Sequence, residues 1–109
     1  MQIGYRRRSS LGVAAALLVA SAGGGTAADS AKGRRIAERW CAECHVASPV
    51  QRRASDAVPT FSQIGRSERF SEAKLADFLA NPHRSRMPNL GLTRSEIADL
   101  VAYIRRQAR

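Results

Sequence analysis

Apolar residues gather in four short clusters separated by polar, proline-containing stretches, and within each cluster the spacing is that of a helix. The last cluster is the best defined. Ile97, Leu100, Val101 and Ile104 recur at intervals of three and four residues, which puts them on one side of a helix. Thr93 and Glu96 precede that run at capping-box spacing, and Leu92 is placed to staple onto Ile97. Arg105, Arg106 and Arg109 follow, where positive charge suits the negative end of the helix dipole. Tyr103 is offset from the apolar stripe and is expected against the N-terminal helix. In the preceding cluster Leu75, Phe78 and Leu79 form an inward face. Ser71 serves as N-cap, Phe70 as staple to Leu75, and Asn81-Pro82 as the stop. Phe61 and Ile64 predict a short turn of helix that begins at Pro59 and Thr60 and ends at Gly65. The first cluster, Ile36 and Trp40, lies four apart on one face of a helix capped by Asp29 or Ser30, and this helix runs from about Ala31 to Cys41. Val46 to Val58 and Asn81 to Leu92 have no period and read as loops. The fold class that follows is all-α.

The first 28 residues stand apart from this pattern. Arg6, Arg7 and Arg8 form a positive head, Leu11 to Ala20 an apolar stretch of ten residues, and Ser21 to Ala28 a tail of small residues suited to cleavage. A membrane-spanning helix needs about 20 apolar residues, so the segment reads as an export signal removed near Ala27 or Ala28, with no stable membrane insertion afterwards. The organisation expected is therefore a signal peptide over 1–28 and one domain over 29–109. That domain keeps 15 of the 18 Lys and Arg and all 9 Asp and Glu, a formal charge of about +6 that favours acidic partners. Nucleic acid is a poor fit, because the basic residues are scattered and aromatic stacking residues are few. A domain of this size buries a modest core and often depends on a metal, a disulfide or a cofactor.

Cys41, Ala42, Glu43, Cys44 and His45 spell C-x-x-C-H, the attachment pattern of a c-type haem. Two cysteines three apart on a helical turn project from one face, which lets their sulfurs bond the two vinyl groups of one porphyrin. The adjacent histidine then offers its imidazole to the iron. A disulfide, a redox dithiol and a zinc site compete for the same residues. A thioredoxin-like dithiol follows a strand, whereas Arg34 to Trp40 reads as helix. Zinc wants four spread ligands, and His83 is the one further candidate. Met87 is the only methionine after the initiator and stands in a loop before Pro88, away from any packed helix. Its thioether is a soft ligand suited to haem iron opposite histidine, with His83 as competitor. With neither in place the iron would be open to small molecules, but no acid-base constellation for peroxide chemistry is legible. Gly33 sits inside the first helix at some cost, explained either by close approach of another helix or by tolerance near the helix start.

Taken together, Ala31 to Arg106 resembles a small class I cytochrome c. The shared features occur in order: Gly33, Cys41 to His45, Pro59, Met87-Pro88, and Glu96 to Ile104. The resemblance implies about four short helices wrapped around one covalent haem c, with Cys41 and Cys44 as attachment points and His45 and Met87 as axial ligands. It also implies a crossing of the terminal helices at Gly33 and Tyr103, a Pro59 carbonyl accepting the other ring N–H of His45, and pocket walls from Phe61 and Ile64. Many relatives carry an aromatic residue four before the first cysteine. This chain has Ala37 there and Trp40 instead. The short loop after His45 is expected to leave more of the porphyrin edge exposed. The function implied is one-electron transfer in the bacterial periplasm between redox proteins with acidic docking surfaces. The alternatives are a haem subunit of a larger dehydrogenase or oxidase and an open-site haem protein.

Overall fold

The computed structural model describes Gly4, residues 27–82 and residues 85–108. Most of the export segment and His83 lie outside the described residues. Within them the chain is helical and contains no strand. Helix α1 spans Ser30–Ile36 and continues as a π-helical stretch, Ala37–Cys41; α2 is Phe61–Arg66, α3 Glu72–Ala80 and α4 Arg94–Arg106. Each start is fixed by a polar side chain on the first free backbone N–H groups. Asp29 accepts from Ala31 and Lys32 at 2.9 and 3.2 Å, Thr60 from Gln63 at 3.0 Å, Ser71 from Lys74 at 3.2 Å and Thr93 from Glu96 at 3.1 Å. Thr60–Gln63 and Thr93–Glu96 are both full capping boxes, because Gln63 and Glu96 each return an oxygen to the N-cap amide.

In α4 the hydrogen bond from the Thr93 backbone N–H to Glu96 holds the Glu96 carboxyl below its usual range. The folded state therefore gains from the ionised form at neutral pH, and this contribution disappears as the pH falls through the lowered value. Thr93→Ala is expected to cost about 1 kcal/mol, read as a lower urea midpoint with unchanged m-value.

Helix α4 is the centre of the packing. Ile97, Leu100, Val101 and Ile104 are buried as their spacing requires, and α1, α2 and α3 all pack against this helix. The α1–α4 crossing is made by small residues. Gly33 and Ala37, one turn apart, are both buried, and Ala37 has no exposed surface. A Cβ on Gly33 would run into the backbone carbonyl of Asp99 and stand 2.9 Å from the Cβ of Tyr103. Tyr103 is buried beside it, and its hydroxyl donates to the Ala47 carbonyl at 2.5 Å.

This corrects one expectation. Ile36 and Trp40 do not share one packed face of the first helix: Ile36 is half-buried against the core, whereas Trp40 is 50% exposed. The reason is the wide turn, in which Ala42 N–H bonds to the Ala37 carbonyl, five residues back, at 3.0 Å. The extra residue carries Trp40 away from α4, where the Arg39 guanidinium sits 4.8 Å above its ring. Ala37 at the crossing is thus what close contact demands, in place of an aromatic residue.

Candidate functional site

The π-helical stretch ends at Cys41, and the chain then turns sharply. The amide of Cys44 bonds to the Cys41 carbonyl at 3.2 Å and that of His45 to the same oxygen at 2.9 Å. This turn puts Cys41, Cys44 and His45 on one wall of an apolar cavity with two adjoining lobes, of about 250 and 330 Å³. Cys41, His45, Val58, Leu79, Met87 and Leu100 border both lobes. Phe61, Ile64, Leu75 and Phe78 line the first, and Trp40, Cys44 and Leu90 the second. The cavity therefore draws walls from the π-helical stretch after α1 and from α2, α3 and α4, and Met87, in the loop between α3 and α4, borders both lobes. Phe78, which the helical stripe places inward, is 38% exposed overall but forms part of this wall.

His45 is held in a defined orientation. Its Nδ1 lies 2.6 Å from the Pro59 carbonyl, which can only accept, so Nδ1 is the donor, and in the neutral ring Nε2 carries the lone pair. Phe61, 3% exposed, packs a tilted ring 5.5 Å from the imidazole and meets Tyr103 edge-on at 6.2 Å. An aromatic chain thus runs from the helix crossing to the histidine.

The loop between His45 and Pro59 is organised by Gln51, a residue that no periodicity singles out. Its Nε2 donates to the Ala42 carbonyl at 2.7 Å and the His45 carbonyl at 2.8 Å, and its Oε1 accepts from the Ala47 amide at 2.9 Å. One side chain thereby replaces the backbone pairing that an irregular segment lacks. Gln51→Leu leaves the Ala42 and His45 carbonyls and the Ala47 amide without this partner. We expect a loss of about 2 kcal/mol, measured by denaturation, and a broadened His45 ring signal in NMR spectra. On the opposite side the Ser85 hydroxyl donates to the Pro82 carbonyl at 2.9 Å and accepts from the Met87 amide at 3.1 Å, which positions Met87 at the cavity.

Burial bears on the dithiol rival, whereas His83, the further candidate for zinc, lies outside the described residues. Burial pushes the Cys41 thiol up to about 11, the opposite of the lowered value that makes a dithiol reactive. Among the described residues no three His, Cys, Asp or Glu side chains converge as a metal site would require. A porphyrin, by contrast, matches what is present. An apolar cavity is bordered by two thiols, an imidazole and a thioether.

The family profile described as cytochrome C oxidase, cbb3-type, subunit III matches residues 28–104. A cytochrome c-552 from Bradyrhizobium diazoefficiens is 45% identical over 94 residues, which cover 85% of this chain and 89% of that protein. No solved structure matches significantly.

Proposed function

Since the chain belongs to the small c-type cytochromes, electron-transfer proteins that carry covalent haem c, we propose that it is an exported one-electron carrier in which His45 and Met87 are the axial ligands. The observation that carries this reading is the apolar cavity that Cys41, His45 and Met87 all border. The bound haem supplies a one-electron couple. The residues around it do the rest. Cys41 and Cys44 hold the group covalently, and the Pro59 carbonyl fixes the imidazole with Nε2 presented to the metal. Met87 would offer the iron a thioether, which would exclude water and favour the reduced state. Leu75, Leu79 and Leu100, all buried, keep solvent out and so limit reorganisation on a change of charge.

Spectroscopy of the oxidised holoprotein tests the ligation. The weak near-red band of methionine on ferric haem is expected in the wild type and its loss in Met87→Ala. A wild-type spectrum without that band removes Met87 from the site.

Export is supported by the basic head and ten-residue apolar stretch ahead of the domain. No helix among the described residues is long and apolar enough to cross a membrane. Redox partners with acidic docking surfaces suit the exposed Trp40 and Arg86 that border the cavity. Electron-transfer rates with an acidic partner should then fall as salt is raised through the range where the Debye length drops from about 30 to about 10 Å.

The family profile favours a second reading, because its description names an oxidase subunit. In that case the domain relays electrons inside a stable complex. A stoichiometric second polypeptide in the purified material, with salt-independent transfer, would select it over the free carrier.

A further inference from the structure

Asp99 is the only buried charged side chain among the described residues, at 8% exposed, and it faces α1 from the middle of α4. Its Oδ1 accepts the backbone N–H of Asp29 at 2.7 Å, a contact that spans 70 residues of sequence. Among the described residues no cationic side chain pairs with it. Arg34 is engaged by Glu38 at 2.7 Å on the exposed side of α1, and Arg106 donates to the Ser30 hydroxyl at 2.8 Å. A carboxylate removed from water normally has a counter-charge, and an amide N–H only partly replaces one.

Asp29 is also the N-cap of α1. Its carboxylate caps α1, its carbonyl accepts from Gly33 at 3.0 Å and its amide goes to Asp99, so every polar group it has is used. Ala27 and Ala28, immediately before it, are exposed and non-helical. Thr26, Ala27 and Ala28 place small residues at the last three positions of the export segment, as a leader peptidase requires.

We propose that the chain is cut between Ala28 and Asp29 and that the α-ammonium so created is the missing counter-charge of Asp99, an ion pair that locks the α1–α4 crossing. The inference rests on the export reading above. In the cut, water adds across the Ala28–Asp29 peptide bond. The C–N bond breaks, the hydroxyl goes to the Ala28 carbonyl and the hydrogen to the Asp29 nitrogen. At neutral pH the resulting acid gives up a proton and the amine takes one, leaving an ammonium where the structure shows the N–H donor. Cleavage one residue earlier, after Ala27, would leave that nitrogen an amide and Asp99 without a cation.

Intact-mass analysis and N-terminal sequencing of the holoprotein from cells carrying the full chain give the first test. A start at Asp29 is expected. A start at Ala28 or at any other position overturns the inference while leaving export intact, whereas an uncleaved chain overturns the export reading itself. The second test is a double-mutant cycle that combines Asp99→Asn with a leader engineered to leave Ala28 in place. Asp99→Asn should lower the folded-to-unfolded ratio more than about tenfold in the chain starting at Asp29 and less than about threefold in the chain starting at Ala28. Equal losses in the two backgrounds overturn the ion pair. If Asp99→Asn fails to fold, the wild type decides by amine acylation. The Asp29 α-amine should react about tenfold more slowly in the folded holoprotein than in urea, and equal rates would also overturn the pairing.

Discussion

Gly33→Ala is expected to lower stability by about 2 kcal/mol, even though alanine is the better helix former. The helix-propensity gain is about 1 kcal/mol at a position inside α1. Against it stands a methyl group whose carbon would overlap the Asp99 backbone carbonyl and press on the Tyr103 Cβ at 2.9 Å. Neither neighbour is the free end of a flexible side chain. The two helices must separate, and that movement carries Asp99 away from the Asp29 amide and Tyr103 away from Ala47. Overpacking of this kind costs about 1–3 kcal/mol, and the linked hydrogen bonds put Gly33 at the upper end. Gly91 provides the contrast. It has an open surround but a φ of 63°, so Gly91→Ala is penalised by backbone angle and not by space. Guanidinium denaturation of both variants checks the distinction. A neutral or stabilising Gly33→Ala would mean that the α1–α4 contact is looser than drawn.

The parts of this molecule that could be read from the sequence are those whose causes are local. Ser71 with α3, and Thr93 and Glu96 with α4, lie within one turn of the structure they start, and the buried stripe of α4 repeats at the helical period. Cys41, Cys44 and His45 are also set by one turn of chain, which is why five consecutive residues suffice to place them on a common wall. Trp40 could not be placed in this way. The pattern of α1 assumes 3.6 residues per turn, whereas the chain widens into a π-helical stretch from Ala37 to Cys41. Gln51 and Asp99 were equally hidden. Their partners, Ala42, His45 and Ala47 in one case and Asp29 in the other, are set by tertiary structure and leave no repeat.

A single arrangement connects these features to electron transfer. The small-residue crossing brings α1 close to α4, Tyr103 fixes the Ala47 turn, and Gln51 ties that turn to the carbonyl of His45. The imidazole is therefore held from three directions: its own backbone, Pro59 and Phe61. If His45 binds the haem iron as proposed, an imidazole fixed in this way would move little when the iron changes charge, and a small reorganisation is what a carrier that makes no bond in its partner requires.

Leu100→Ala is expected to have the larger functional effect of the two core changes that separate stability from ligation. Leu100 is 1% exposed and borders both lobes of the cavity, as His45 and Met87 do. Its truncation should cost about 3 kcal/mol, the transfer free energy of the lost methyl and methylene groups plus that of the cavity left behind. The new space adjoins the proposed sixth-ligand position. The Met87 side chain, half-buried and carried by a loop, gains room to move, and water gains a path. Ile97→Ala is the matched control. Ile97 is 7% exposed on the same helix but borders neither lobe, so its loss should destabilise by a similar 2–3 kcal/mol without touching the ligand sphere. Thermal denaturation should thus show both variants weakened. The near-red methionine band should fade, and added imidazole should bind the ferric form, in Leu100→Ala alone. Retention of the full band in Leu100→Ala would mean that the Met87 loop carries its own rigidity, with Ser85 as the residue that supplies it.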